Sequence, residues 1–299
     1  MHLHVMGEGS PAVILEAGLG ASSLSWQLVQ PELARLTQVC SYDRPGLGWS
    51  DPGRTPPTSR AIVEQLRRLL QTAGVPPPYV LVGHSFGGFT ARLYASLYPQ
   101  EVAGMVLLDA LHPREWLTMT EPMRRAVLTA VRLCRRGALL AEFGAARLIA
   151  VLVGAGMLQM ARWFAGAVSG GALRERERML ASVNKLPAAL RPVIRAHWCR
   201  PHYFRAVASQ IEALPESAAQ VAATGDYGSI PLVVLSASNP APDRVAEQEV
   251  VARLSTRGSH RVAEQSGHWI QLDQPQLVID VVREIVEAAR RNAPAAKTS

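Results

Sequence analysis

The sequence predicts an α/β fold in which a mostly parallel sheet is flanked by helices and interrupted by one long helical insertion. Three observations lead to this prediction. Short apolar runs rich in β-branched residues recur in the first third of the chain, helix-length segments separate them, and about 110 residues without a strand pattern follow. Alternating strands and helices are typical of parallel sheets with right-handed crossovers.

Four apolar runs before residue 111 are predicted to be buried strands, because they are too short for helices and are bounded by turn residues. They are AVILEAG (Ala12–Gly18), TQVCSYD (Thr37–Asp43), YVLVGHS (Tyr79–Ser85) and GMVLLDA (Gly104–Ala110). The segments between them have helix length: SWQLVQPELARL, SRAIVEQLRRLLQTAG and GGFTARLYASLYP. LHVMGEG, near the start, is predicted to be a partner strand that continues into the next strand through Gly-Ser-Pro.

The pattern changes after Ala110, where the segments become helical with proline and glycine breaks. Strand patterns return in IPLVVLSAS (Ile230–Ser238) and SHRVAEQSG (Ser259–Gly267), and an amphipathic helix closes the chain at about Gln276–Arg291. We therefore expect a core and a cap. The expected bounds are 1–111 and 225–292 for the core, 112–224 for the helical cap, and 293–299 for a disordered tail.

The positive charge of the chain is concentrated in the predicted cap. The net charge is +7, and Leu111–Thr224 carries 16 Lys and Arg against 7 Asp and Glu. Because this segment is also rich in apolar residues, it suits peripheral contact with an anionic membrane, although arginines that solvate helix faces would give the same count. The longest uncharged stretch, Leu148–Ala161, would be a helix of about 21 Å, too short to cross a bilayer.

Other compositional features narrow the class of protein. The first ten residues lack the basic and apolar regions of a signal peptide, so we expect a cytoplasmic protein that can associate with a membrane surface. No nucleic-acid motif is present, and nucleic acid is not an expected partner. The cysteines Cys40, Cys134 and Cys199 have no metal-binding spacing, which indicates reduced thiols and no structural zinc.

Gly83-His84-Ser85-Phe86-Gly87 is a G-x-S-x-G pattern between a predicted strand and a predicted helix. At such a turn, side chains two residues before and after the serine would clash, and the serine adopts a strained backbone. The position favours a nucleophilic Ser85, with the backbone N–H of Phe86 as one oxyanion donor. A serine in an ordinary tight turn is the alternative.

Four motifs in order resemble the α/β-hydrolase superfamily, most closely its cap-bearing esterase, lipase and haloperoxidase-like branch. They are VILEAGLGASS (Val13–Ser23), SYDRPGLGWSD (Ser41–Asp51), LVGHSFGG (Leu81–Gly88) and SGHWIQLDQPQLV (Ser266–Val278). The resemblance implies the α/β-hydrolase fold, with the cap inserted after the strand that ends at Asp109. It also implies that the Leu19 N–H is the second oxyanion donor. Ala17 replaces the family's histidine there, and Glu16 either supports this loop or is buried against Arg44.

The resemblance implies His268 as the catalytic base and leaves the acid open. Asn239 occupies the usual acid position, where asparagine can orient an imidazole but carries no charge. Asp243 could reach back from the same loop. Asp109 follows the strand after which some relatives, including haloalkane dehalogenases, place their acid, and it is the acid that we favour.

The cap and the aromatic residues near the motifs lead to a functional hypothesis. Trp26, Trp269 and His84 could line a substrate pocket, and a cap rich in Leu, Ala, Val and Met favours apolar, lipid-like substrates. We expect a serine hydrolase of carboxylic esters that needs no cofactor or metal. An acyltransferase or carbon–carbon bond hydrolase could use the same site, and a ligand receptor with a vestigial site is the alternative of another class.

Overall fold

The computed structural model describes residues 1–144, 147, 183–238 and 242–292. Within these residues the sheet has seven strands in the order β1-β3-β2-β4-β5-β6-β7. Their bounds are β1 Leu3–Met6, β2 Ala12–Glu16, β3 Val39–Tyr42, β4 Tyr79–His84, β5 Val102–Leu108, β6 Leu232–Ala237 and β7 Gly258–Ala263. All neighbouring strands run parallel except β1, which pairs antiparallel with β3 at the sheet edge and not with β2, its neighbour in sequence.

The described α-helices lie between the strands and after the last strand, β7. Their bounds are α1 Gln30–Leu33, α2 Ser59–Thr72, α3 Gly87–Leu97, α4 Pro113–Leu117, α5 Glu121–Glu142, α6 Arg191–Trp198, α7 Pro201–Ala222, α8 Pro242–Arg253, α9 Ile270–Asp273 and α10 Pro275–Asn292. The first predicted helix instead forms a 3-10 turn at Ser23–Trp26 and the short α1, because Pro31 lacks the N–H that would continue a helix from the preceding turn. Helix α8 was not predicted.

The sheet is buried on both faces, which explains why its central strands are continuously apolar. In β4, Val80 and Val82 pack on one face in the cluster that includes α10, and Tyr79 and Leu81 pack on the other face with α2 and α3. The alternation follows from the two-residue period of a strand. The α/β-hydrolase fold predicted from the motifs is therefore present.

Helices follow β5 where the cap is predicted, and α7 packs along α5. A Cβ at Gly137 would lie 2.7 Å from Phe204 Cδ1, so glycine allows α5 to approach α7 closely. Residues 145–146 and 148–182 of the predicted cap, and the predicted tail 293–299, lie outside the described residues. None of the helices within the described ranges is long and apolar enough to cross a membrane.

The carboxyl ends of β2, β4, β5 and β7 meet at one edge of the sheet. Parallel pairing places Glu16 beside Gly83, His84 beside Leu108, and the end of β6 beside Ala263. The residues that follow these strand ends therefore share one region of space, and they include the candidate catalytic residues.

Candidate active site

Ser85 lies at a sharp turn between β4 and α3. Its φ of 53° is in the left-handed region, which is unfavourable for a residue with a side chain. The turn is held to the strand beside it, because Ser85 N donates to Leu108 O at 3.0 Å and Leu111 N donates to Ser85 O at 3.2 Å. This strained backbone, fixed by neighbouring structure, is the geometry of a nucleophile elbow.

The flanking glycines are required by the space around this turn. A Cβ at Gly83 would lie 2.7 Å from Gly87 O, and a Cβ at Gly87 would lie 2.3 Å from Glu16 O. A larger residue at position 87 would force the turn away from the end of β2, and one at position 83 would displace the backbone of Gly87. The small residues of the G-x-S-x-G pattern thus allow the elbow to pack against the start of the 17–20 loop.

His268 and Asp109 form a close pair at the same sheet edge. His268 lies between β7 and α9, and its Nδ1 is 2.5 Å from Oδ2 of Asp109, the residue that follows β5. The Asp109 backbone has a φ of 40°, and its N–H donates to Leu235 O at 2.7 Å. A buried carboxylate with these restraints can hold one imidazole tautomer and stabilise its protonated form.

Asp243, the other candidate carboxylate among the described residues, does not make this contact with His268. Asp243 is exposed in the first turn of α8. Asn239 lies outside the described residues. Among the three positions considered from the sequence, the structure places Asp109 beside His268.

Arg244 on α8 is a second partner of the Asp109 carboxylate, and the sequence analysis missed it. Its Nε lies 3.5 Å from Asp109 Oδ1, and its Nη1 lies 3.2 Å from Glu115 Oε1 on α4. Burial raises the pKa of the Asp109 carboxyl, but the hydrogen bond from His268 and the charges of His268 and Arg244 outweigh burial and leave this pKa below its usual range. Asp109 is therefore held in its ionised form.

His84 packs beside His268 and is not exposed to substrate. It is 1% exposed, and its Nε2 donates to the backbone O of His268 at 2.8 Å. Its ring centroid lies 4.7 Å from that of His268 and 4.9 Å from the ring of Trp269. Burial, together with the charge of His268, lowers the pKa of His84 to about 3. His84 therefore does not line a substrate pocket, contrary to the prediction from the sequence. It is a neutral, buried side chain that holds the loop containing His268.

The loop of residues 17–20, which contains the predicted donor Leu19, lies next to the elbow. A Cβ at Gly18 would be only 3.3 Å from Ser85 Cβ. Gly20 N donates to Oε1 of Gln210 at 3.0 Å, so α7, which lies within the predicted cap, contacts this loop directly. Gln210 is fully buried, and sequence reasoning missed it. Neither the Leu19 N–H nor the Phe86 N–H has an acceptor among the described backbone and side-chain groups.

Trp26 and Trp269 have different environments. Trp26 is 0% exposed and packs in the sheet core with Val13 and Leu15, so its predicted place in a substrate pocket is wrong. Trp269 borders an apolar pocket beside Leu19. The lining comprises Leu19, Gly20, Ala21, Ser22, Leu24, Ser25, Val183, Leu186, Ile194, Trp198, Tyr203, Trp269 and Leu272. Within the described ranges, no group of three or more His, Cys, Asp or Glu side chains is arranged so that it could hold a metal ion.

Comparisons with known proteins agree with this architecture. The family model described as alpha/beta hydrolase fold matches residues 11–136. The uncharacterized protein YqjL of Bacillus subtilis (strain 168) is 36% identical over 106 residues, which is 36% of this chain and 42% of the relative. The chain thus matches less than half of that relative's length.

Solved structures resemble nearly the whole chain. The epoxide hydrolase CorEH is 21% identical with a TM-score of 0.69, and the match covers 96% of this chain and 94% of CorEH. A thermophilic esterase from Thermogutta terrifontis is 22% identical with a TM-score of 0.65, covering 96% and 93%. At these identities the likeness concerns the fold, which hosts more than one reaction. The chain thus has the α/β-hydrolase fold, and its residues 11–136 match the family model of that fold.

Proposed function

We propose that the protein is a serine hydrolase that cleaves carboxylic esters through an acyl-enzyme on Ser85. The observation that carries the proposal is the 2.5 Å contact between His268 Nδ1 and Asp109 Oδ2 at the sheet edge that bears the strained Ser85 turn. A carboxylate on Nδ1 leaves the Nε2 lone pair of His268 available as a base. Asp109 is the acid of the triad in this proposal.

The reaction has two balanced halves. Ser85 Oγ attacks the ester carbonyl carbon and gives its proton to His268 Nε2, and the N–H groups of Phe86 and Leu19 stabilise the resulting oxyanion. The bond to the alkoxy oxygen then breaks, and His268 donates its proton to the leaving alcohol. Water next attacks the acyl carbon, His268 takes one water proton, and that proton returns to Ser85 Oγ as the carboxylic acid leaves. Neither half uses a metal or an organic cofactor.

The substrate is an ester with an apolar acyl or alcohol part. The apolar pocket is lined by Leu19, the proposed oxyanion donor, together with residues that include Trp198 and Trp269. An apolar chain or ring held there would lie beside the loop of the proposed donor Leu19. Burial of apolar surface contributes roughly 0.8 kcal/mol for each methylene group, so chain length is expected to influence the rate.

The test is hydrolysis of p-nitrophenyl esters of increasing chain length by the wild-type protein, Ser85→Ala and a control, Ser96→Ala on α3. Ser85→Ala should lower kcat/KM by about three or more orders of magnitude, while Ser96→Ala leaves it unchanged. Substantial activity in Ser85→Ala would refute the nucleophile. A folded wild-type protein inactive on every ester would refute the esterase and favour the acyltransferase, carbon–carbon hydrolase or receptor.

We further propose that the cap meets an anionic membrane surface through the outer face of α5. Three arginines on this face, here called the outer arginines, are exposed and have no carboxylate partner among the described residues: Arg125, Arg132 and Arg136. Exposed apolar side chains lie between and beyond them, at Leu128, Leu139 and Phe143, the last 87% exposed. Interleaved cationic and apolar groups suit a surface with anionic headgroups above acyl chains.

A further inference from the structure

Arg44 is a side chain that supports the 17–20 loop, in which position 17 is an alanine. Arg44 is 3% exposed and lies just beyond the end of β3. Its Nη1 donates to Gly18 O at 3.2 Å, and its Nη2 donates to Ala17 O. The guanidinium therefore binds two successive carbonyl groups of the loop that contains Leu19.

These two contacts fix the direction of the peptide that matters for catalysis. In a trans peptide the C=O of one residue and the N–H of the next point in opposite directions. Because Gly18 O points at Arg44, the Leu19 N–H points to the other side of that peptide. The Ala21 N–H donates to the same carbonyl at 3.3 Å, which further resists a flip of the peptide. Gly18 lies against Ser85, so this orientation bears on the oxyanion site.

The guanidinium is itself held in place by buried groups. Arg44 Nε donates to Glu16 Oε1 at 2.8 Å, and Tyr42 Oη donates to the other oxygen of this carboxylate. Glu16 and Arg44 are each 3% exposed, so water screens the attraction between their charges only weakly. The rigid fork of the guanidinium can satisfy Glu16 and still direct Nη1 and Nη2 at the loop, which a single ammonium group cannot do.

Arg44 also touches the residue that supplies the first oxyanion donor. Its Cζ lies 4.8 Å from the centroid of the Phe86 ring. One side chain therefore contacts Phe86 on the elbow and the Gly18–Leu19 peptide on the loop. The two donors come from segments almost 70 residues apart in sequence. Because Arg44 contacts both segments, it fixes the position of one relative to the other.

We propose that Arg44 is a positioning residue that orients the Gly18–Leu19 peptide so that the Leu19 N–H completes the oxyanion hole. This inference rests on the proposed ester hydrolysis. Glu16 holds Arg44 in place. From the sequence, Glu16 was expected either to support this loop or to be buried against Arg44, and in this proposal it does both.

The first experiment compares wild-type protein, Arg44→Lys and the control Arg35→Lys, whose side chain is 78% exposed on the surface. Lysine keeps the charge beside Glu16 but loses the fork. We expect Arg44→Lys to lower kcat by about 10²–10³-fold with KM changed less than about threefold, because the donor acts on the transition state. Its affinity for an alkyl trifluoromethyl ketone, which forms an oxyanion on Ser85, should fall by a similar factor. Arg35→Lys should change none of these values.

The outcomes separate this inference from the function on which it rests. A wild-type protein that shows no burst of p-nitrophenol and no ketone adduct would refute the ester hydrolase itself. A normal wild-type burst with unchanged kcat and ketone affinity in folded Arg44→Lys would refute only the role of Arg44. A similar rise in KM alone would also refute it, since the loss would then concern substrate binding.

A second measurement needs no variant and covers the case in which Arg44→Lys fails to fold. In wild-type protein labelled with ¹⁵N-leucine, the Leu19 amide proton should move downfield when the trifluoromethyl ketone adduct forms, because it gains a charged acceptor. An unchanged Leu19 resonance in the presence of the adduct would mean that this amide does not face the oxyanion, and would overturn the inference.

Discussion

Replacing His84 with glutamine is expected to remove part of the protein's loss of stability in acid. Glutamine is uncharged at every pH and can still donate to the backbone O of His268. In the wild-type protein, burial and the charge of His268 lower the pKa of His84 from 6.5 to about 3. Between these two values the unfolded chain binds a proton at this histidine and the folded protein does not.

The sign and size of the effect follow from this difference in bound protons. Stability rises with pH wherever the unfolded state binds more protons, so it falls as pH decreases from 6.5 towards 3. Each pH unit in that window changes the free energy of unfolding by about 1.36 kcal/mol. Lowering the pH from 7 to 5 should therefore decrease the free energy of unfolding by about 2 kcal/mol through His84 alone.

The assay is urea denaturation of both proteins at pH 7 and pH 5, with the slope of each transition checked for equality. The decrease in unfolding free energy should be about 2 kcal/mol smaller in His84→Gln than in the wild-type protein. Other buried histidines contribute equally to both proteins and cancel in the difference. An equal decrease in both proteins would mean that His84 can charge in the folded state, which would refute the reasoning from its burial.

Three further outcomes are expected. Asp109→Asn should lower kcat on esters by about 10⁴-fold, because the imidazole of His268 loses its charged partner. The kcat of the control Asp243→Asn should stay within about twofold of the wild-type value. Equal effects of the two substitutions would contradict the assignment of Asp109 as the acid. Gly18→Ala should lower kcat/KM by at least about tenfold, since the new Cβ would lie 2.9 Å from His84 Nδ1 and 3.3 Å from Ser85 Cβ and would displace the loop or these side chains. Steady-state kinetics would measure the loss, and a melting curve would show that the variant is folded. Vesicles containing anionic lipid should carry the wild-type protein upward in a flotation gradient, whereas neutral vesicles should not. Replacing the outer arginines of α5 with glutamate should abolish this flotation. Flotation with neutral vesicles alone would contradict the charge-based contact.

The parts of the fold that follow from local physics could be predicted from the sequence. Strands buried on both faces are apolar throughout, so β2, β4 and β5 were evident from their residues. The elbow was evident because its steric needs fall within five residues, Gly83 to Gly87. These features depend on neighbours in the chain, which a sequence displays directly.

The features that depend on distant neighbours could not be fixed in the same way. His268 and Asp109 are 159 residues apart, and the order of strands in the sheet decides whether they meet. Gln210 resembles any polar residue on a helix, yet its partner Gly20 lies 190 residues away. Trp26 illustrates the converse error, because a large aromatic residue near a motif can line a pocket or fill the core, and only its surroundings distinguish the two.

The hydrogen bond from Gly20 N to Gln210 Oε1 means that the predicted cap and the loop of the proposed oxyanion donor are not separable modules. Exchanging the segment after β5 for that of a protein with the same fold would remove Gln210, the side chain that holds one end of the 17–20 loop. Such a chimera would acquire a new pocket and a loosened catalytic loop together. If the proposed function holds, substrate range and turnover should therefore change jointly in such chimeras, unless the incoming segment supplies an acceptor for the Gly20 N–H at the same place.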